Sequence, residues 1–339
     1  FMFASADLST PNYDNILNGW AAQSVQNGVS FHAGTYTEYT PVAADSRNIL
    51  TNTYGWNITD GGLMQMFSGG SGTAGEPYEI ATLDSLRFLS ENPFYWDLHF
   101  IQTADIDASD TENWNDNGLG GSYAGYYGFS PIGNNNTQFK GSYEGQNYTI
   151  DGLYINRPEE ENIGLFGYGK DAEITAIGLT NVEIYGKKDV GSLIGFSQYA
   201  DISDSYATGS VSGDIENIGG LIGQNEETSL SRLYADVNVD GNSTYVGGLV
   251  GINWSSIDNS YAVGSVNGDD YVGGFAGVNH GTIFNSYSTG SVTGNFHLNG
   301  FIGGSWGSEN NCFWDTETSG QESSAGDATG KTTAEMRNF

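Results

Sequence analysis

Oxygen donors gather between residues 105 and 117, where Asp105, Asp107, Asp110 and Glu112 are followed closely by Asn113, Asn115, Asp116 and Asn117. Hard cations such as calcium take about six to eight oxygen ligands, with carboxylates foremost. The run Asn113-Trp-Asn-Asp-Asn-Gly118 has the spacing of the first half of a calcium loop, but Ala124 stands where the closing acid belongs. Asp105, Asp107, Asp110 and Glu112 are therefore candidate calcium ligands, set against a hydrated polar loop. No other cofactor is implied. The same insertion carries Tyr123, Tyr126 and Tyr127 among glycines. Rings on such a loop can stack on sugars, or pack on their own protein.

Other chemistries lack their residues. The four histidines form no His-Glu-x-x-His, and neither a Gly-x-Ser-x-Gly elbow nor a P-loop occurs. Asp269-Asp270 with Asn279-His280-Gly281 resembles parts of the polygalacturonase pattern, whose companion motifs are absent. Glycoside hydrolysis places two carboxylates across the scissile bond, whereas these residues fall at ordinary repeat turns. Lys187-Lys188, the only basic pair a lyase could use, reads as a solvated turn. Cys312 is the single cysteine, so no intrachain disulfide forms, and its aromatic neighbours point to a buried small hydrophobe. The Thr-x-Thr pairs Thr35/Thr37, Thr51/Thr53 and Thr316/Thr318 do not recur once per repeat, which excludes an ice-binding array.

Composition narrows the class. The 339 residues include 50 glycines, 45 aromatics, 41 acids and only 10 lysines plus arginines, for a net charge of −31. Such a surface repels phosphate backbones and excludes nucleic acid as a partner. No apolar run is long enough to span a membrane.

The elements that position these residues follow from a repeat. One phrase reads Ile163-Gly-Leu-Phe-Gly167, Val190-Gly-Ser-Leu-Ile-Gly195, Ile218-Gly-Gly-Leu-Ile-Gly223, Val246-Gly-Gly-Leu-Val-Gly251, Val272-Gly-Gly-Phe-Ala-Gly277 and Leu298-Asn-Gly-Phe-Ile-Gly303. Its closing glycines, Gly167, Gly195, Gly223, Gly251, Gly277 and Gly303, keep a nearly constant interval. A second phrase keeps step: Ser205-Tyr-Ala-Thr-Gly-Ser-Val211, Leu233-Tyr-Ala-Asp-Val-Asn-Val239, Ser260-Tyr-Ala-Val-Gly-Ser-Val266 and Ser286-Tyr-Ser-Thr-Gly-Ser-Val292. Short apolar runs punctuated by Gly, Asn, Asp and Ser are strand-and-turn signals. A unit this small cannot bury its own apolar face, so copies stack. The period predicts an all-β parallel β-solenoid with coils of roughly 26–28 residues and about three strands each. Ile218, Leu221, Val246, Leu249, Val272, Phe275 and Phe301 should line its interior. Glycine is expected to supply positive φ at the corners and close approach between coils. Thr82-Leu-Asp-Ser-Leu-Arg-Phe-Leu89 predicts a short helix, N-capped by Thr82, that closes the first coil.

Residues 76–336 resemble the GLUG-motif repeat family of bacterial surface proteins and adhesins, in the Gly-Leu-x-Gly phrase, the opening Pro77-Tyr-Glu-Ile-Ala-Thr-Leu83, and the closing Cys312-Phe-Trp-Asp-Thr-Glu-Thr-Ser-Gly320. The resemblance implies a parallel β-solenoid at a cell surface and no single activity. Residues 1–62, with Asn12-Tyr-Asp-Asn-Ile-Leu-Asn-Gly-Trp20, resemble the C-terminal end of BspA-like leucine-rich surface repeats, a small α+β module. Gly69-Gly-Ser-Gly-Thr-Ala-Gly75 marks residues 63–76 as a linker before a solenoid over 77–339. The chain opens inside that module, so a longer parent is expected. The function expected is a non-catalytic adhesive or structural rod, secreted or at the cell surface. Its partners would be a glycan or a host or neighbouring surface, with self-association possible in principle. The alternatives are a polysaccharide-active β-helix enzyme and a self-assembling filament subunit.

Overall fold

The computed structural model describes residues 8–64, 66–118, 125–242 and 244–337. It divides into two units, residues 1–66 and 67–339.

In the first unit, helices Thr10–Ala21 and Pro41–Asn48 accompany short parallel strand pairs, Ser30–His32 with Asn57–Thr59 and Glu38–Tyr39 with Gly62–Leu63. Tyr13, Leu17, Ala33, Ala43 and Leu50 are fully buried at its centre. Arg47 forks onto Asp60 at 2.8 and 3.0 Å, and the Tyr13 hydroxyl donates to the same carboxylate at 2.7 Å.

The second unit is a parallel β-solenoid. Its strands form three sheets of sixteen, nine and six members, every ladder parallel. One coil runs Glu216–Gly219, Ile222–Glu226, Ser229–Ser231, Tyr234–Gly241, and then the next begins at Thr244. In this coil the largest sheet takes two of the four strands, one strand more than the sequence suggested. Register follows the repeat: Ile222 lies beside Val250, Val250 beside Ala276, and Ala276 beside Ile302. At about 4.8 Å per rung, the nine-stranded sheet extends roughly 38 Å. All seven residues expected inside, Ile218 through Phe301, are fully buried. Phe275 stacks on Phe301 at 4.7 Å between centroids.

The corners depart from expectation. Asn162, Asp189, Asn217, Tyr245, Tyr271 and His297 occupy one corner in successive coils with φ between 45° and 63°, none of them glycine. A second corner is held by Asp204, Arg232, Asn259, Asn285 and Asn311 at φ of 47–56°. Asn and Asp tolerate this region because a short polar side chain can bond locally. The signature glycines instead serve close approach. A Cβ on Gly247 would lie 2.1 Å from the Val250 carbonyl oxygen and 2.6 Å from the Gly277 nitrogen.

A polar file also runs through the interior. Asn225, Asn253 and Asn279 are fully buried, and each carboxamide donates to the next: Asn225 Nδ2 to Asn253 Oδ1 at 2.6 Å, and Asn253 Nδ2 to Asn279 Oδ1 at 2.8 Å. Asn279 Nδ2 ends the file on Glu309 Oε1 at 2.7 Å. Glu309 stands in register with Ile283, and it also accepts from the Ser305 hydroxyl and the Asp327 amide.

Both ends of the solenoid are covered. Helix Leu83–Glu91 carries the expected Thr82 cap, with Ser85 N donating to Thr82 Oγ1 at 3.2 Å. Phe88 joins Phe67, Tyr78 and Tyr95 in an aromatic cluster beside it. Residues 67–76, which read as linker, are part of this cap. Ser68 N donates to Glu79 O, Glu79 N to Gly69 O and His99 N to Gly72 O, so the segment pairs the edge strand. Gly70 at φ 82° is obligatory there, since a Cβ would sit 1.8 Å from the Pro77 oxygen. At the other end, Gly300 N donates to Ser323 O and Ala325 N to Ile302 O, while Thr329–Lys331 adds a parallel strand beside Phe313–Asp315.

Candidate functional site

The acidic insertion folds around its own backbone. Asp105 Oδ1 accepts from the Thr149 amide at 2.8 Å and its hydroxyl at 3.1 Å. Asp107 Oδ1 accepts from the Ser109 hydroxyl at 2.6 Å and amide at 3.0 Å, bonds that hold its carboxyl below the usual range. Asp110 and Glu112 sit on the short turn Ser109–Asn113, and all four carboxylates are exposed. Among the described residues no three His, Cys, Asp or Glu side chains converge as a metal site requires. Asp105 bonds the start of strand Thr149–Asp151 and Asp107 the start of the turn Ser109–Asn113. Tyr126 and Tyr127 are 39% and 38% exposed, with the Arg157 guanidinium 5.8 Å from the Tyr127 ring centre. Tyr123 lies outside the described residues.

The residues resembling a polygalacturonase pattern are occupied elsewhere. Asp269 accepts from Asn295, Asp270 holds His297 Nδ1 at 2.6 Å, and Asn279 belongs to the interior file. Lys188 pairs with Glu216. Cys312 is buried in the row of Ser260 and Ser286, and burial pushes its thiol up to about 11.

An aromatic face on the last coils escaped the sequence reading. Trp254, His280 and Trp306 each follow a strand of the six-stranded sheet, one per coil. His280 lies 3.8 Å from Trp254 with planes 5° apart, and 5.1 Å from Trp306 at 14°. The corner row joins them, with Tyr271 at 6.2 Å from Trp306 and stacked on His297 at 4.4 Å. Trp254 is 47% and Trp306 64% exposed. The signal is present in the sequence as rings at equal intervals, two of them directly after Asn253 and Asn279. On the sixteen-stranded sheet a tyrosine row, Tyr234, Tyr261 and Tyr287, stacks at 4.5 and 5.0 Å. It leads into a groove of about 580 Å³ between Tyr287, Phe313 and the C-terminal residues Thr333 and Arg337.

Among the described residues no helix is long and apolar enough to cross a membrane. Residues 188–212, 242–267 and 268–293 match the GLUG motif. The chain is 35% identical over 148 residues to halomucin of Haloquadratum walsbyi, covering 43% of the chain. It is 36% identical over 120 residues to a "Putative Gly-rich membrane protein" of Evansella cellulosilytica, covering 34%. It spans only 2% and 12% of these two relatives. A crystal structure from Bacteroides ovatus, described as a "putative immunoglobulin A1 protease", superposes with a TM-score of 0.58 at 20% identity, covering 80% of this chain and 89% of that one. That likeness concerns the fold alone. The three stretches that match the GLUG motif lie in register in one parallel β-solenoid.

Proposed function

We propose that this chain is a non-catalytic part of a cell-surface or secreted repeat protein, where the solenoid works as a stiff spacer and adhesive face. The observation that carries the reading is the unbroken stacking of the coils: apolar rows, an amide file and covered ends leave a rod stabilised along its whole length. Such one-dimensional stacking resists local opening because each coil is held by both neighbours. The family match and the surface-type relatives support the location. The engagement of Asp269, Asp270 and Asn279 in structural bonds supports a role without turnover. We include residues 1–62 as the end of a BspA-like leucine-rich module, a reading supported by the parallel pairing of Ser30 with Asn57 and of Glu38 with Gly62.

The test pairs product release with retention on a panel of acidic and neutral glycans and on whole cells. Retention without product is expected. Turnover of any glycan overturns the non-catalytic reading. Absence of retention on every surface removes the adhesive part and leaves the spacer.

A further inference from the structure

We propose that the face built by Trp254, His280, Trp306 and Tyr271 docks a cationic chain segment, rich in Lys or Arg, of a partner protein. The inference rests on the surface reading above and names its partner class. Exposed tryptophans are costly to leave in water and concentrate at binding surfaces. Here two of them, 47% and 64% exposed, are held in place by stacking against His280 and by Tyr271 beside Trp306. Charge selects the occupant. From residue 233 to residue 330 the chain has ten carboxylates and no lysine or arginine. Glu226 precedes Trp254 in the same row, and Asp270 is adjacent to Tyr271. Aromatic faces with carboxylates at their rim attract guanidinium and ammonium groups by cation–π and Coulomb terms together. A second copy of this chain would bring another −31 of charge to the same face and is disfavoured. A neutral sugar could stack on the rings but would gain nothing from the field.

The experiment is a tryptophan-fluorescence titration of the full chain with hexa-arginine, hexalysine and neutral oligosaccharides, at about 20 mM and about 500 mM salt. Saturable binding of the cationic peptides, weakened about tenfold or more by salt, is expected. Trp254→Ser with Trp306→Ser should weaken hexa-arginine binding about tenfold, read by calorimetry, without lowering the melting temperature. A charge control, Glu173→Gln with Asp201→Asn on the nine-stranded sheet, should leave binding nearly intact. In the unmodified chain, the Trp254 and Trp306 indole N–H resonances should shift on titration, a readout that does not depend on any variant folding. Unshifted indole signals, an unaffected double variant, or neutral sugars binding equally at both salt levels would each overturn the proposal. None of these results touches the glycan-turnover test, so the partner can fail while the surface reading stands.

Discussion

The residues most diagnostic of this fold are glycines that work by lacking a side chain. Gly247 has no positive φ, yet a Cβ there would collide with backbone atoms of its own coil and of the next one. Gly247→Ala should therefore cost ~1–3 kcal/mol, the usual range for forced overpacking, measured by chemical denaturation; an unchanged midpoint would show that neighbouring coils give way easily. Asp189 is a residue-scale oddity of the opposite kind. It holds a left-handed corner occupied by asparagine in the coils on either side, Asn162 and Asn217. Burial raises its pKa to about 6, against the lowering effects of the Asn217 amide and Lys188, with Glu216 and Glu161 adding to the rise. A folded-state pKa above the unfolded value of 3.8 means the native state binds this proton more tightly. The corresponding stability is full below about pH 4 and lost as pH rises through about 6. Asp189→Asn keeps the acceptor that Asn217 uses and removes the ionisation. It should match the parent at pH 4 and exceed it by up to roughly 3 kcal/mol at pH 7. Equal stability of the two proteins across that window would show the carboxylate to be well solvated.

At the scale of the coil, an apolar row and an amide file share one narrow interior, and they should respond differently to truncation. Leu249 is fully buried between Leu221 and Phe275 in the stacked phrase. Leu249→Ala should cost ~2–5 kcal/mol through lost burial and a cavity. A loss below about 0.5 kcal/mol would put the side chain outside and break the register. Asn253→Ala is the sharper test. It orphans the buried Asn225 amide and the Ser255 N–H, both of which donate to Asn253 Oδ1, while Asn279 Oδ1 keeps the Gly281 amide. At ~1–3 kcal/mol for each group left unsatisfied, the loss should rival Leu249→Ala despite the smaller apolar volume. A near-neutral result in denaturant titration would mean that water enters and replaces the amide.

For the whole molecule the dominant quantity is the charge of −31. Among the described residues few ion pairs offset it: besides the His297–Asp270 contact there are five, of which Arg87–Glu91 and Arg232–Asp204 are well exposed. Exposed pairs of this kind contribute ~0–1 kcal/mol. Self-repulsion among carboxylates should therefore be the main electrostatic term. Raising sodium chloride from about 10 mM to about 1 M shortens the screening length from ~30 Å to ~3 Å, and the melting temperature should rise with it. A fall over that range would mean that specific ion pairs outweigh the repulsion. The same screening should weaken any cationic partner, so stability and partner binding are expected to move in opposite directions with salt.

The period was legible because every coil must place the same residue types at the same height to pair with its neighbours. The spacing of the closing glycines and the buried positions from Ile218 to Phe301 follow from that rule, whereas the Thr82 cap and the buried Cys312 were legible from their immediate neighbours. What the period could not say is which way a polar residue points. Asn225, Asn253 and Asn279 look like turn residues in a one-dimensional string, and only the closed coil shows them inside, each satisfied by the next. Asp105 accepts from the Thr149 amide far along the chain, a bond that exists only once the coil has closed. Residues 67–76 look like a flexible joint until the unpaired edge of Tyr78–Ile80 gives their backbone a partner. Trp254, His280 and Trp306 are remote in sequence and become one face only when successive coils bring them a single rung apart. The repeat set the architecture by itself. The destination of each polar and aromatic side chain was decided by neighbouring coils, because the hydrogen-bond partners and ring contacts it needs exist only after stacking.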